Sequence, residues 1–322
     1  MDLAGQQQLC TFAGKDKDKK PLPNLSVRVL IKCLSFDDAV CQRHAALALG
    51  NISANPQFRE QILVEKGLPV LFKVAEAADA KARKATGTAT GSTATSTAAG
   101  PGSGATTATA LGTAAAAAAA ATASAVAASL GPENDTQISC LFAVSQLAHC
   151  ASHHSDFVAH VASIAAFLAH AHPELHKHAC AAVEQLSMND ALATQLVAAD
   201  VPRLLVDVIA KASSHKLARH SAIAALRYLS AAGTLPDNHR LVKQISEAGV
   251  VRECLHVLDA SDDVRDRELI AACLYYLTLP TPLTLIQPLQ RHPVHPQLTS
   301  VGGLKALWAL TQARDNETQP ET

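Results

Sequence analysis

Histidine is the residue type most concentrated where it could bind a metal. Eight of the fifteen histidines fall between residues 149 and 178, and His172 and His176 are spaced to share one helix face. A zinc site needs three or four converging ligands, and the chain offers neither a C-x-x-C pair nor an H-E-x-x-H motif. We predict no metal site; polar histidines at helix ends and a pH-responsive patch are the interpretations left open. The cluster comprises His149, His153, His154, His160, His170, His172, His176 and His178.

Sequence motifs of catalysis are incomplete. The run Gly100–Ala105 is rich in glycine, but no Lys-Ser or Lys-Thr follows it, as a phosphate-binding loop requires. Ser103 has Pro101 two positions earlier, where a nucleophile elbow needs glycine. The pairs Asp37-Asp38 and Asp262-Asp263 are better interpreted as N-terminal caps of helices. We predict that the protein is not an enzyme, has no catalytic residue and uses no cofactor.

Composition and charge restrict the class of partner. The chain has 322 residues, with 27 Lys and Arg against 28 Asp and Glu, so it has no basic surface for nucleic acid or anionic lipid. Hydrophobic residues make up 48% but aromatic residues only 3%. Small aliphatic side chains favour closely packed helices over a β-sandwich. The predicted partner is another protein, with no nucleic acid and no membrane span.

The cysteines indicate the compartment. Eight are present without a C-x-x-C pair, mostly inside apolar helical stretches, and we expect reduced core thiols. The segment Met1–Lys20 is polar and shows no secretory signal. We predict a cytoplasmic protein, with a nuclear or cytoskeleton-associated location as the alternatives.

A low-complexity segment interrupts the chain. Residues 85–132 contain no Asp, Glu, Lys or Arg and consist largely of Ala, Thr, Gly and Ser. We predict a disordered insert over residues 79–132, and its role, passive or partner-binding and targeting, stays open. The predicted divisions are a flexible segment 1–20, N-terminal repeats 21–78, the insert 79–132, C-terminal repeats 133–312 and a flexible tail 313–322.

A landmark recurs outside the insert: a helical stretch of small residues ends in Leu or Ile followed by Ser, Ala or Thr. The landmarks are Ile52-Ser53, Leu147-Ala148, Leu186-Ser187, Leu229-Ser230 and Leu277-Thr278. The later spacings are 39, 43 and 48 residues, and the first spacing of 95 falls to about 41 without the insert. A period of roughly 40–47 residues is typical of helical solenoids.

Each unit has the same internal order. A long helix such as Ala39–Ile52 carries apolar residues at helical spacing, and a polar turn and a short helix, Phe58–Val64, follow it. We expect Gly67 to sit at a sharp turn before the next helix. The same order recurs at Leu241–Ala248 and Gly249.

The run Ala45–Ser53, followed by Asn55–Ile62 and Gly67–Leu71, resembles an armadillo repeat. The resemblance covers most of the chain outside the insert and the tails. It implies an all-α, right-handed superhelical solenoid of about five to six three-helix repeats, with the long third helices lining the concave face. Pro21–Leu34 then corresponds to a second helix without its first helix, which predicts a divergent cap or an incomplete N-terminus.

Aligning the long helices at their ends gives a column of candidate partner-binding residues on the concave face. Steps of four residues keep the members on one side of each helix. The candidates are Arg43, Leu47, Asn51, Phe142, Gln146, Lys177, Gln185, His220, Tyr228, Glu268 and Tyr276, with Ile138, Ala181, Ala224 and Ala272 at the remaining places. Phe142, Tyr228 and Tyr276 are the expected anchors, because large aromatic side chains dominate binding energy at interfaces.

In importin-α-type armadillo proteins, a Trp and an Asn four residues later recur along this face and hold a basic peptide. Only Asn51 keeps that residue type here, and the one tryptophan, Trp308, belongs to a different predicted helix. The sequence predicts a non-catalytic adaptor or scaffold that binds an extended or helical segment of another protein. The alternatives are a cytoskeletal or axonemal scaffold, an Hsp70 nucleotide-exchange cofactor and an importin-α-like cargo receptor.

Overall fold

The computed structural model describes residues 25–90, 132–170, 172–211, 216–233, 239–261, 263–279 and 294–300. Over these ranges the chain forms fourteen α-helices and one 3₁₀ helix, and no strand. The α-helices are α1 (Leu25–Leu34), α2 (Ala39–Ile52), α3 (Pro56–Val64), α4 (Gly67–Thr90), α5 (Pro132–Leu147), α6 (Val161–Ala169), α7 (Pro173–Leu186), α8 (Asp190–Ala198), α9 (Val201–Ala210), α10 (Lys216–Ala232), α11 (His239–Glu247), α12 (Val250–Ala260), α13 (Val264–Thr278) and α14 (His295–Ser300). The 3₁₀ helix is Ala151–His160.

Several predictions fall on residues outside these ranges. They are the flexible ends 1–20 and 313–322, most of the insert, the repeat residues 301–312, Cys10, Asp262 and Trp308. None of the helices in the described ranges is long and apolar enough to cross a membrane.

The helices repeat in groups of three. A first helix (α3, the 3₁₀ helix, α8 or α11) leads to a second helix (α4, α6, α9 or α12), and a third helix follows. The third helices α2, α5, α7, α10 and α13 each pack on the next in that order, and we call this stack the third-helix ladder. It places one equivalent stretch of every repeat side by side, which is the arrangement that a repeat array needs to bury its apolar faces.

Side-chain caps fix where helices begin. The carboxylate of Asp38 accepts hydrogen bonds from the backbone N–H groups of Val40 and Cys41, at 3.1 and 3.2 Å. Asp263 accepts one from Arg265 at 3.1 Å. The predicted capping role of these two aspartates is confirmed, and it satisfies donors that a helix N-terminus leaves unpaired.

The landmark serines have a local structural role. Ser53, Ser187 and Ser230 are buried, and each donates its hydroxyl to the carbonyl four residues earlier, at 2.6, 2.6 and 2.7 Å. This bond satisfies the hydroxyl inside the apolar core near the end of a third helix. Ala148 holds the same place after α5 and is also buried.

The core lies between the third-helix ladder and the second helices, and small aliphatic side chains fill it. In α2 the apolar residues Ala45, Ala46 and Leu49 are buried, whereas Ala48 and Ile52 are partly exposed. Alanine on these helix faces allows neighbouring helices to approach closely.

The expected sharp turn at Gly67 is wrong in one detail. Lys66, the preceding residue, has the positive φ of 56°, and Gly67 is already the first residue of α4. Gly67 is required for space, since a Cβ there would lie 2.7 Å from Cγ2 of Ile62. At the equivalent corners before α9 and α12, Asp200 and Gly249 have φ values of 58° and 85°.

Replacing Lys66 with glycine should stabilise the fold. A left-handed backbone costs an L-residue about 1–2 kcal/mol, and the greater freedom of glycine in the unfolded chain offsets part of the gain. We expect Lys66→Gly to raise the free energy of unfolding by about 0.5–1 kcal/mol in urea titrations. Gly249→Ala is the opposite substitution at the equivalent corner and should lower it. Destabilisation by Lys66→Gly would show that the left-handed turn is not strained.

The N-terminal boundary of the predicted insert, residue 79, lies inside a helix. Helix α4 continues to Thr90, because residues 75–84 are mostly Ala, Glu, Lys and Arg, which are strong helix formers. Asp79 pairs with Arg83 at 2.8 Å, and Lys81 pairs with Asp37 at 2.9 Å. The folded array therefore includes at least residues 79–84, and residues 91–131 of the predicted insert lie outside the described ranges.

Candidate partner-binding face

All eleven predicted partner-binding residues lie on the third-helix ladder, and none of them is buried. Asn51 and Glu268 are exposed, and the other nine are half-buried. They lie at three levels along the third helices: near the N-terminal end, in the middle and near the C-terminal end. The side chains at each level make different kinds of contact.

At the N-terminal level of the third helices, two candidates pair with carboxylates of the next third helix. Arg43 of α2 pairs with Asp135 of α5, with 2.8 Å between Nη1 and Oδ2. His220 of α10 pairs with Asp266 of α13, with 3.0 Å between Nδ1 and Oδ1. Arg43 and His220 therefore connect successive repeats, which is a structural role.

Asp266 receives a second basic group. Its side chain is 1% exposed, and Nη2 of Arg219 lies 3.3 Å from its Oδ2. Next to this pair, Lys216 of α10 lies 2.9 Å from the carboxylate of Asp263. The α10–α13 interface therefore combines a buried carboxylate with an exposed ion pair.

The middle level contains Leu47, Phe142, Ala181, Ala224 and Ala272. Phe142 fills space over Gly50 of α2, where an added Cβ would lie 2.6 Å from its ring. The same ring meets His178 of α7 edge-on, with centroids 5.5 Å apart. Phe142 of α5 thus contacts both α2 and α7, whereas the later repeats carry alanine at this level.

The C-terminal level is a row of amide and phenol side chains, one on each third helix. We call it the terminal row: Asn51, Gln146, Gln185, Tyr228 and Tyr276. Gln185 lies close to His149, which follows the end of α5. The row is at least partly open to solvent along its whole length.

Two residues next to the terminal row were not among the predicted candidates. The guanidinium of Arg227 lies 4.7 Å from the ring centroid of Tyr228, a cation–π distance. Tyr275 is 59% exposed and packs edge-on against Tyr276, with ring centroids 5.5 Å apart. The signal available in the sequence was the tyrosine count, because the chain contains only three and all lie here.

The histidine-rich stretch forms helix ends. His172 caps α7, with Nδ1 accepting from the N–H of Glu174 at 3.2 Å, and His176 bonds the carbonyl of His170. His154 is buried and bonds the carbonyl of Ala148 at 2.8 Å. Over the described residues, no three His, Cys, Asp or Glu side chains come together as a metal site would require.

Acidification is expected to destabilise this central part of the array. Burial is the main cause that lowers the pKa of five histidines below the usual 6.5: His149, His160, His170, His172 and His176. Below pH 6.5 the unfolded chain therefore binds more protons than the folded chain, and stability falls with pH. The melting temperature should be lower at pH 5.5 than at pH 7.5. The difference between the two pH values should be smaller in His176→Gln. A midpoint that rises on acidification would contradict this.

The thiols in the described ranges are unpaired by disulfides. Cys140, Cys180, Cys254 and Cys273 are buried, and Cys33, Cys41 and Cys150 are half-buried. Burial raises the pKa of Cys140 to about 12 and that of Cys180 still further. The Cys140 and Cys180 thiols therefore stay protonated and pack as small hydrophobic side chains.

A separate concavity of about 740 Å³ forms where α8, α9, α11, α12 and α14 meet. Its lining contains Arg203 and Arg252 together with Asp200 and Glu247. The two cations and two carboxylates leave this lining without net charge, so it has no evident preference for a charged ligand.

The fold is similar to those of solved helical repeat proteins. An engineered protein aligns over 88% of this chain and 88% of its own, with 19% identity and a TM-score of 0.59. A designed armadillo repeat protein aligns over 85% of this chain and 92% of its own, with 16% identity and a TM-score of 0.56. The chain has an armadillo-type repeat fold. The all-α solenoid expected from the sequence is confirmed.

Another designed armadillo repeat protein is similar at 14% identity and a TM-score of 0.56, over 85% of this chain and 92% of its own. That protein was solved in complex with the peptide (KR)4. No protein-family model and no curated protein matches this armadillo-type chain in sequence.

Proposed function

We propose that this chain is a non-catalytic scaffold that binds a segment of another protein along the terminal row. The supporting observation is the row itself, with one amide or phenol per repeat, none of them buried. Amide side chains offer both a donor and an acceptor, which match the N–H and C=O groups of a peptide backbone. Packed helices lie about 8–10 Å apart, so an extended segment that rises about 3.3 Å per residue meets each repeat within two or three residues.

The fold supports this type of binding, since a designed armadillo repeat protein holds a peptide. The importin-like alternative has less support, because the middle level carries Leu, Phe and Ala where tryptophans would be needed. The scaffold, chaperone-cofactor and cargo-receptor roles differ in their partner, and identifying the partner distinguishes them.

The test is an affinity capture with cross-linking from the native cell. The bait is compared with Asn51→Ala/Gln146→Ala and with Tyr228→Ala/Tyr276→Ala. A matched control truncates two exposed residues of the first helices, Gln195→Ala/Gln244→Ala. We expect a partner that the wild type and the control retain and the row variants lose, with unchanged circular dichroism. The same partners in all four samples would refute binding along the terminal row.

A further inference from the structure

The tyrosines of this protein are concentrated at one place. All three lie on the C-terminal halves of α10 and α13, two third helices that pack on each other. Tyr275 is exposed, and Tyr228 and Tyr276 are half-buried. In a chain with 3% aromatic residues, this is a concentrated patch of the residue type that most often anchors a partner.

Arg227 gives the patch its charge. Its guanidinium lies over the Tyr228 ring and forms no ion pair with any described residue, unlike Arg43, Lys216 and Arg219 of the same ladder. The patch therefore presents a positive charge without an ion-pair partner among the described residues, beside aromatic rings.

The middle-level residues next to the patch are small. Ala224 and Ala272 lie one turn before Tyr228 and Tyr276, where the first two repeats carry Leu47 and Phe142. Ala224 is 3% exposed and therefore buried, whereas Ala272 is half-buried and leaves a small apolar surface one turn from Tyr276.

We propose that Arg227, Tyr228, Tyr275 and Tyr276 anchor an acidic residue of the bound segment, and that an aliphatic residue next to it lies against Ala272. This inference rests on the proposed function and specifies its partner. A carboxylate receives a charge-assisted hydrogen bond from Arg227 and phenol hydroxyls, whereas a lysine at the same place is repelled. The preference is thus opposite to that of the Lys-Arg peptide bound by the designed protein.

The full chain provides its own probe for the test. Incorporation of 3-fluorotyrosine gives three ¹⁹F resonances, all of them in the patch, because the chain contains only three tyrosines. Three acetylated, amidated peptides of the pattern Gly-X-Leu-X-Leu-Gly are titrated, with X as Glu, Gln or Lys. Arg227→Glu reverses the local charge, and Arg203→Glu makes the same change at an exposed arginine of α9.

The Glu peptide is expected to shift the resonances and to bind at least about tenfold more tightly than the Lys peptide. Arg227→Glu should reverse this order, and Arg203→Glu should preserve it. A Lys peptide that binds as tightly as the Glu peptide, or an order unaffected by Arg227→Glu, overturns the acidic preference. No shift with any peptide at about 1 mM, a weak-binding concentration, overturns the anchor itself. The capture experiment judges the proposed function separately, because it uses native partners and the Asn51/Gln146 end of the row.

Discussion

Leu226→Asp is expected to abolish cooperative unfolding of the repeats around α10. Leu226 is 1% exposed on a helix that packs against both α7 and α13. The substitution removes a core side chain, at about 2–5 kcal/mol, and adds an unpaired buried charge that costs several more. The total approaches the whole stability of an ordinary domain, about 5–15 kcal/mol. Urea denaturation followed by circular dichroism measures it.

The same helix supplies a control for this prediction. Leu217 is 56% exposed, so Leu217→Asp makes an identical chemical change on the surface of α10. Its free energy of unfolding should stay within about 0.5 kcal/mol of that of the wild type. Equal midpoints for the two variants would show that α10 does not bury the Leu226 side.

Asp266→Ala is expected to cost about 3 kcal/mol, at the low end of the range for breaking a buried ion pair. The buried carboxylate is the common partner of Arg219 and His220, and its loss leaves the guanidinium without a counter-charge. The value is at the low end because the Arg219 side chain remains 34% exposed and keeps part of its hydration. The free energy of unfolding from urea titrations tests this directly.

Lys216→Ala is the matched control at the same interface. It breaks the pair with Asp263, but the lysine is 73% exposed, and exposed pairs contribute little. Asp266→Asn keeps the shape and removes the charge, so it should fall between the wild type and Asp266→Ala. If Lys216→Ala proved as damaging as Asp266→Ala, burial would not be the source of the effect.

The sequence was sufficient to predict the features of the fold that depend on residues close together in the chain. The landmark serines bond to their own helix, and Asp38 and Asp263 cap the residues that follow them, so neighbours in sequence determine these features. The spacing of the landmarks then fixed the repeat period and the alignment of the third helices.

The rest depended on contacts between distant residues. Arg43 appeared to be a binding residue because its partner, Asp135, lies 92 positions away beyond the low-complexity segment. The partner of His220 is likewise 46 positions away. The left-handed backbone of Lys66 was not predicted, because glycine adopts this conformation more readily than lysine and the turn was assigned to the neighbouring Gly67.

The contacts between successive third helices also differ in chemical kind, with a mechanical consequence. The α2–α5 and α10–α13 junctions carry ion pairs, and α5 meets α7 through the edge-on contact of Phe142 and His178. Salt screens partly exposed charges and leaves apolar contacts intact. Rising ionic strength should therefore weaken the Arg43–Asp135 pair, whose side chains are 35% and 42% exposed, more than the pairs of the buried Asp266, so the α2–α5 junction should loosen before the α10–α13 junction.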